Sequence, residues 1–275
     1  MENEIPLWTK NKYILNGYRK GNDNKSKYLI SVLRIHNETI NIWTHLIGLL
    51  YFSHSLILNI NENMSIILYE MVCVVCFGIS TIYHIYMPYS QKNYMLLLRL
   101  DLISIILNIV VSNILIYHYW FWCYEDIKKI YNILSLFYLG LGFLILLRVD
   151  IIERYNYILA YYSLYNIGIV ISYYHINIIT YGNVNEIIKF NFIKSLQYFG
   201  AGFIIYTTKM PERIISNYFD IYGSSHQLWH IFSFLGSYYY HEEIIKNINY
   251  RLVDNCYYCF NNASAMAALT SKVVI

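Results

Sequence analysis

Long apolar runs dominate this sequence, and they limit its possible folds more than any other feature. A helix needs about 20 predominantly apolar residues to cross a lipid bilayer. Seven stretches meet or approach that length: residues 41–60, 64–87, 95–120, 130–149, 157–179, 192–208 and 225–245. The pattern therefore predicts an all-α membrane protein built as a seven-transmembrane helix bundle.

The composition agrees with a membrane location. Hydrophobic residues make up 57% of the chain and charged residues only 13%, whereas a soluble domain carries about 25% charged residues. A net charge of +3 is too small to indicate nucleic acid binding. The first forty residues are mixed and charged, so we expect no cleavable signal peptide. In the tail, Cys256 and Cys259 form a lone C-x-x-C that chance explains best, with metal or redox chemistry as the alternative.

The basic residues predict an orientation. If the N-terminus lies inside, thirteen of the twenty Lys and Arg residues fall on the inner side and seven on the outer side. Basic residues are enriched on the cytoplasmic side of membrane proteins, so the N-terminus is predicted to be cytoplasmic. The predicted parts are a cytoplasmic N-terminal segment (1–40), a seven-transmembrane domain (41–245) and an outer or lumenal C-terminal tail (246–275).

This orientation places four ionisable side chains in one layer near the cytoplasmic face. His84 falls in the last turn of the second span, and Asp101 lies near the start of the third span. His226 and His230 occupy the first two turns of the seventh span, four residues apart and therefore on one helical face. Ionisable groups at membrane depth are costly and usually face a bundle interior or a wet cavity.

Three histidines and one aspartate suit a catalytic zinc site. Zinc binds neutral imidazole, and three protein ligands with one open position are typical of catalytic rather than structural zinc. An adjacent carboxylate such as Asp101 can accept a proton from bound water or orient it. Ser80 lies one turn from His84 on the same face and can hydrogen-bond a water or a substrate oxygen. His45 is the one further histidine predicted near this layer.

Each residue also has a plain structural interpretation. His84 alone is consistent with a hydrogen-bonded core histidine, and a histidine pair at this spacing also arises by chance. Asp101 can pair with Arg99 or cap the start of its helix. Ser80 can bond back to a carbonyl of its own helix, as serines in membrane helices do.

Four motifs occur in order along the chain, each at the expected span. They are NKYILNGYR (11–19), IHNETINIWTHLIG (35–48), STIYH (80–84) and MPERIISNYFDIYGSSHQLWHIF (210–232). With these motifs the chain resembles the progestin and adipoQ receptor family, which includes the adiponectin receptors and haemolysin III relatives. The resemblance extends from about residue 5 to residue 245.

The resemblance implies a ligand set and a fold. It places zinc on His84, His226 and His230, and it makes Asp101 the aspartate that holds or activates the zinc-bound water. Ser80 matches the serine of the same polar site. The family's seven-helix bundle, with a cytoplasmic N-terminus in its receptor branch and zinc toward the cytoplasmic side, agrees with the charge count.

The chain departs from the family pattern after its aspartate, where DLISI (101–105) lacks the usual glycine. His45 matches a family position that is not a ligand. The leading prediction is a zinc-dependent hydrolase of lipid amides with ceramidase-like chemistry. Two alternatives remain, a seven-helix signalling receptor with structural zinc and a membrane-lytic or pore-forming protein of the haemolysin III type. The expected partners are a lipid of the sphingolipid or sterol class and membrane lipids, without nucleic acid, in the plasma membrane or an endomembrane.

Overall fold

A computed structural model describes residues 5–148, 155–179 and 186–254 of the chain. After a short 3-10 turn at Leu7–Thr9, the helices are α1 (Lys25–Ser31), α2 (Thr39–Leu58), α3 (Met64–Tyr86), α4 (Gln91–Trp120), α5 (Glu125–Arg148), α6 (Tyr155–Ile179), α7 (Glu186–Thr208) and α8 (Ser225–Asp254). No strand occurs within the described ranges, which confirms the all-α prediction. Cys256 and Cys259 lie outside the described residues.

Each predicted span overlaps one of the helices α2–α8. Among the described residues, three helical stretches are long and apolar enough to cross a membrane: Met64–Tyr86, Gln91–Trp120 and Glu125–Leu147. The count of seven spans and the cytoplasmic N-terminus stay predictions.

Helices α4–α8 are longer than the apolar runs that predicted them, whereas α2 and α3 are not. The fourth span was expected to begin at residue 130, but α5 begins at Glu125 and carries Glu125 and Asp126 in its first turn. Acidic side chains are favourable there because they face the positive end of the helix dipole. At the other end of the chain, α8 continues past residue 245 to Asp254. Hydropathy does not detect these polar helical turns, because it measures how apolar a segment is and not whether the segment forms a helix.

The described chain forms two compact units. One unit comprises Met1–Asn108 and Asn191–His241, and it contains every residue of the predicted site. The other comprises the described residues within Ile109–Phe190 and Glu242–Ile275. Within the second unit, the Tyr131 hydroxyl and His175 Nδ1 are hydrogen-bonded at 3.0 Å, which links α5 to α6.

Close packing in the first unit depends on Gly48 of α2. A Cβ atom at this position would lie 3.0 Å from the Phe77 ring of α3 and 3.2 Å from the Phe234 ring of α8. Phe77 also stacks on Phe52 of α2, with ring centroids 5.6 Å apart. The missing side chain therefore lets α2 approach α3 and α8 at the level of these rings.

A buried polar cluster joins the same three helices near the end of α2. Glu70 of α3 is fully buried, and its Oε1 accepts three hydrogen bonds. The donors are Ser55 Oγ at 2.5 Å and Asn59 Nδ2 at 2.7 Å from α2, and His241 Nε2 at 2.8 Å from α8. A buried carboxyl group is tolerated when hydrogen bonds compensate for its lost hydration.

Replacing Glu70 with alanine is expected to destabilise the protein by about 3 kcal/mol, because the buried His241 and the partly buried Ser55 and Asn59 lose their acceptor. For a chain of this size that corresponds to a melting temperature roughly 5–10 °C lower. Thermal unfolding in detergent micelles would measure the loss. Glu62→Ala is the matched control because Glu62 is exposed in the adjoining turn. Equal melting temperatures for the two variants would contradict the structural role of this cluster.

Candidate metal centre

Three histidines from two helices direct ring nitrogens at one another. His84 lies in the last turn of α3, and His226 and His230 lie in the first two turns of α8. The Nε2 atoms of His84 and His226 are 3.5 Å apart, and those of His226 and His230 are 3.2 Å apart. One ligand atom from each residue lies within 4.8 Å of the other two, so the group can hold a metal ion.

The nitrogen separations fit a tetrahedral ion. Two nitrogens at about 2.0–2.1 Å from a tetrahedral zinc ion stand about 3.3 Å apart, which is close to both observed separations. His84 and His230 are each 2% exposed, so water does not satisfy these nitrogens readily. Each neutral imidazole has one nitrogen with a free lone pair, and a cation can accept such lone pairs from all three rings at once.

The start of α8 is fixed by residues around the two histidines. Glu212 accepts hydrogen bonds from the Ser225 backbone N–H, at 2.7 Å, and from the Ser225 hydroxyl. Gln227 Oε1 accepts from the Gly223 N–H at 2.6 Å, and its Nε2 donates to the Asn37 carbonyl at 3.0 Å. These contacts satisfy backbone groups at a helix N-terminus. The acidic and amide residues of the MPER and SSHQ motifs thus hold the start of the helix that carries His226 and His230.

The end of α3 is fixed by Arg19 from the N-terminal segment. Its guanidinium donates to the carbonyl oxygens of His84, at 2.5 Å, and Ile85, at 2.9 Å, and to the Ser31 hydroxyl at 3.0 Å. These are carbonyls of the last helical turn, which lack partners within the helix. Burial lowers the pKa of Arg19 to about 10, so the side chain stays charged at neutral pH.

Glu38 is a site residue that the sequence analysis missed. Its Oε2 is 2.8 Å from His84 Nδ1 and accepts a second hydrogen bond from Asn41 Nδ2 at 2.6 Å. Burial by itself raises the pKa of Glu38, but His84, His226 and Asn41 together lower it to about 2. Because an ionised carboxylate only accepts, His84 carries its proton on Nδ1 and leaves the Nε2 lone pair facing His226. The one available signal was a carboxylate directly before the first span, within IHNETIN.

Asp101 and Ser80 lie beside the histidine group without belonging to it. Asp101, in α4, is buried, and its carboxylate interacts with Ser80 and with His84. Its Oδ1 has no hydrogen-bond partner among the described residues. Arg99 is not among the groups acting on this carboxylate, so the alternative pairing of Asp101 with Arg99 is not found. The arrangement leaves a carboxylate oxygen unpartnered next to the histidine group.

His45 is the fourth histidine of this layer. Its ring stacks on His230, with centroids 3.8 Å apart and planes at 29°. It packs edge-on against Phe77 on another side, at 4.9 Å. Both of its ring nitrogens are buried and lack hydrogen-bond partners among the described residues. His45 therefore contacts His230 through its ring face.

Comparison with known families shows which family the chain belongs to. The family model described as haemolysin-III related matches residues 33–241, which include all three histidines, Glu38 and Asp101. The chain belongs to the haemolysin III-related family. The resemblance read from the four motifs is thereby confirmed, and the protein is an integral membrane protein of this family.

Relatives of the haemolysin III-related chain occur in plants and animals. It is 28% identical over 258 residues to heptahelical transmembrane protein 1 of Arabidopsis thaliana, covering 85% of this chain and 76% of the relative. It is 26% identical over 270 residues to the adiponectin receptor protein of Drosophila melanogaster, covering 90% of this chain but only 59% of the relative. The mouse progestin and adipoQ receptor family member 3 is 24% identical over 273 residues, covering 92% and 87%.

Proposed function

We propose that this protein binds one zinc ion through His84, His226 and His230 and hydrolyses amide bonds of a membrane lipid. The observation that carries the proposal is the set of facing Nε2 atoms, 3.5 Å and 3.2 Å apart, beside an aspartate with an unpartnered oxygen. Histidine nitrogens suit zinc, and three ligands leave one position for a reacting group. A nearby carboxylate adds the base that amide hydrolysis needs.

Different residues of the chain have different roles in the proposed hydrolysis. When bound, zinc supplies Lewis-acid polarisation of a carbonyl oxygen and lowers the pKa of water. Asp101 takes the proton from the attacking water as the new carbon–oxygen bond forms. The same carboxyl then gives that proton to the amine nitrogen as the carbon–nitrogen bond breaks. Ser80 hydrogen-bonds the carboxylate or a substrate oxygen, and Glu38 keeps His84 in the tautomer that ligates.

The proposed substrate is an N-acylated lipid of the ceramide type. Its polar amide would reach His84, His226 and His230. The lipid would enter sideways from the bilayer, so that its acyl and sphingoid chains stay among apolar helices. The proposal includes the predicted topology: seven spans, a cytoplasmic N-terminus and a histidine layer near the cytoplasmic side. The thirteen-to-seven distribution of basic residues supports this orientation.

Metal analysis combined with a lipid-amide hydrolysis assay tests the proposal. Purified protein should contain about one zinc per chain and release fatty acid from ceramides of some acyl-chain length. Treatment with a chelator should remove the activity, and added zinc should restore it. Metal-loaded protein that hydrolyses no N-acyl lipid across a range of chain lengths would refute the enzymatic part and leave the metal site standing.

The second candidate function is a receptor in which zinc is structural. The naming of the Drosophila and mouse relatives as receptors favours it. In that case a sterol or sphingolipid would bind and change the helix packing, and zinc would hold α3 to α8. A structural role predicts that ligand responses survive the loss of Asp101, whereas hydrolysis does not.

Glu38→Gln is expected to weaken zinc binding about 10- to 100-fold, because a histidine ligand loses its carboxylate partner. The amide still accepts from His84 Nδ1 but lacks the charge that raises the basicity of the ring. Competition with a chromophoric chelator would measure the affinity.

The melting temperature of the metal-free protein separates this role from a structural one. It should stay near the wild-type value in Glu38→Gln, since the amide keeps the shape and one acceptor. Glu62→Gln, at an exposed glutamate, is the control. Wild-type zinc affinity in Glu38→Gln would exclude the assigned role.

A further inference from the structure

Residues 25–35, which comprise α1 and the turn after it, are called the α1 segment here. One face of the α1 segment packs on the bundle. Tyr28 forms a buried cluster with Ile42 of α2 and Ile85 of α3, and Val32 packs against that cluster. The Ser31 hydroxyl receives a hydrogen bond from Arg19 on the same side. This face therefore holds the segment against the ends of α2 and α3.

The opposite face of the α1 segment is apolar and uncovered. Leu33 is 81% exposed and Ile35 is 71% exposed, and Leu29 and Ile30 are more than half exposed. Four large aliphatic side chains within seven residues form one patch. A contiguous exposed patch of this kind marks a binding surface, because isolated apolar side chains are common but clusters are not.

The patch continues onto a helix face that the bilayer is expected to cover. Trp43 of α2 donates from Nε1 to the Val32 carbonyl at 3.0 Å and is itself partly exposed. Ile47 and Leu50 follow it at i+4 and i+7 and are also exposed, which forms one stripe along α2. Tryptophan is enriched where the headgroups meet the acyl chains. The hydrogen bond of Trp43 to Val32 thus joins the exposed apolar residues of the α1 segment to this stripe.

Basic side chains border the patch. Lys20, Lys25, Lys27 and Arg34 are exposed around the α1 segment. Asp23 is the one acidic residue between positions 20 and 35, and it pairs with Lys27 at 2.7 Å. An excess of basic groups beside an apolar face favours a surface of anionic lipid.

We propose that the α1 segment is a membrane-interface anchor that inserts Leu29, Ile30, Leu33 and Ile35 into the headgroup–acyl boundary and recruits anionic lipid. The occupant of the patch is the bilayer that the predicted topology places around α2, since a protein partner on this face would have to sit in the headgroup layer. Amphipathic segments with basic flanks lie in the interface plane in this way. Through Arg19, which bonds both Ser31 and the His84 carbonyl, the anchor is connected to the helix that carries a metal ligand.

Photo-crosslinking in lipid nanodiscs tests the proposal on the full chain. A benzophenone amino acid is placed at Leu33, whose exposed side chain can be replaced without disturbing the packed face. The same probe at Ile57, on the exposed side of α2, is the positive control, and at Glu62, in the exposed turn, it is the aqueous control. Nanodiscs contain phosphatidylcholine alone or with phosphatidylserine, and mass spectrometry counts lipid adducts.

The expected result is a lipid adduct yield at Leu33 similar to that at Ile57 and several-fold above that at Glu62. In mixed nanodiscs, phosphatidylserine should be over-represented among the Leu33 adducts, and the substitutions Lys25→Gln and Arg34→Gln together should remove that excess. A Leu33 yield no higher than that of Glu62, or adducts with protein instead of lipid, would overturn the proposal. Phosphatidylserine adducts in proportion to its abundance would overturn the recruitment of anionic lipid.

Discussion

Replacing His84, His226 or His230 with alanine should remove most bound zinc and lower the melting temperature by about 10 °C. With free zinc about 100- to 1,000-fold above its dissociation constant, binding contributes about 3–4 kcal/mol to folded-state stability. At this chain length each kcal/mol corresponds to about 2–4 °C. Loss of one of the three ligands should remove nearly all of the stabilisation that zinc binding provides, because two nitrogens bind zinc weakly. Elemental analysis and thermal unfolding, with and without a chelator, measure both effects.

His54→Ala is the matched control for the ligand variants, because His54 is exposed on α2. It should keep wild-type zinc content and the full difference in melting temperature between metal-loaded and metal-free protein. If all three ligand variants also retained wild-type zinc, the assignment of the site would be wrong.

Asp101→Asn should slow lipid-amide hydrolysis roughly 100- to 10,000-fold while most zinc remains bound, because general acid–base catalysis contributes about that factor. Asparagine keeps the size of the side chain and one hydrogen-bond acceptor but does not move protons. The three histidines still provide a ligand set, so metal content and melting temperature should change little. Zinc content and ceramide hydrolysis are measured in parallel on the same preparations.

Asp126→Asn is the control for this substitution, since the Asp126 side chain is 97% exposed. It should leave hydrolysis unchanged. Hydrolysis that survives Asp101→Asn would assign the proton transfer to another group. A loss of zinc in the same variant would instead make Asp101 part of the metal-binding shell.

The clustering of His84, His226 and His230 was predictable because it follows from helix geometry. His226 and His230 are four residues apart in an apolar run, which places both on one face of any helix formed there. His84 was predicted to lie near them because successive spans alternate in direction. The end of the second span and the start of the seventh span therefore lie near the same membrane face. Helix type was equally accessible, since apolar runs of this length leave few other folds.

Glu38 and Arg19 were not predictable because neither lies in an apolar run. Each reaches α3 from a non-helical stretch whose path is fixed by tertiary contacts: Arg19 through the carbonyls at the end of α3, and Glu38 through His84 and Asn41. Periodicity contains no information about where such a stretch turns. The face-to-face stacking of His45 on His230 was hidden for the same reason, because depth alone does not give the direction of a ring.

The Glu70 cluster and the histidine layer tie the same helices at two levels that are far apart along α3. Fourteen residues separate Glu70 from His84, which is about 21 Å along a helix. Removing the metal leaves the hydrogen bonds of Glu70 to Ser55, Asn59 and His241 in place. On metal loss α3 and α8 would lose one link at the histidine end, where the contacts of Glu38 with His84 and of Gln227 with Asn37 remain. Any separation of the helices would therefore be confined to that end. Metal release and access for a long-chain lipid would thus occur at the same end of the molecule.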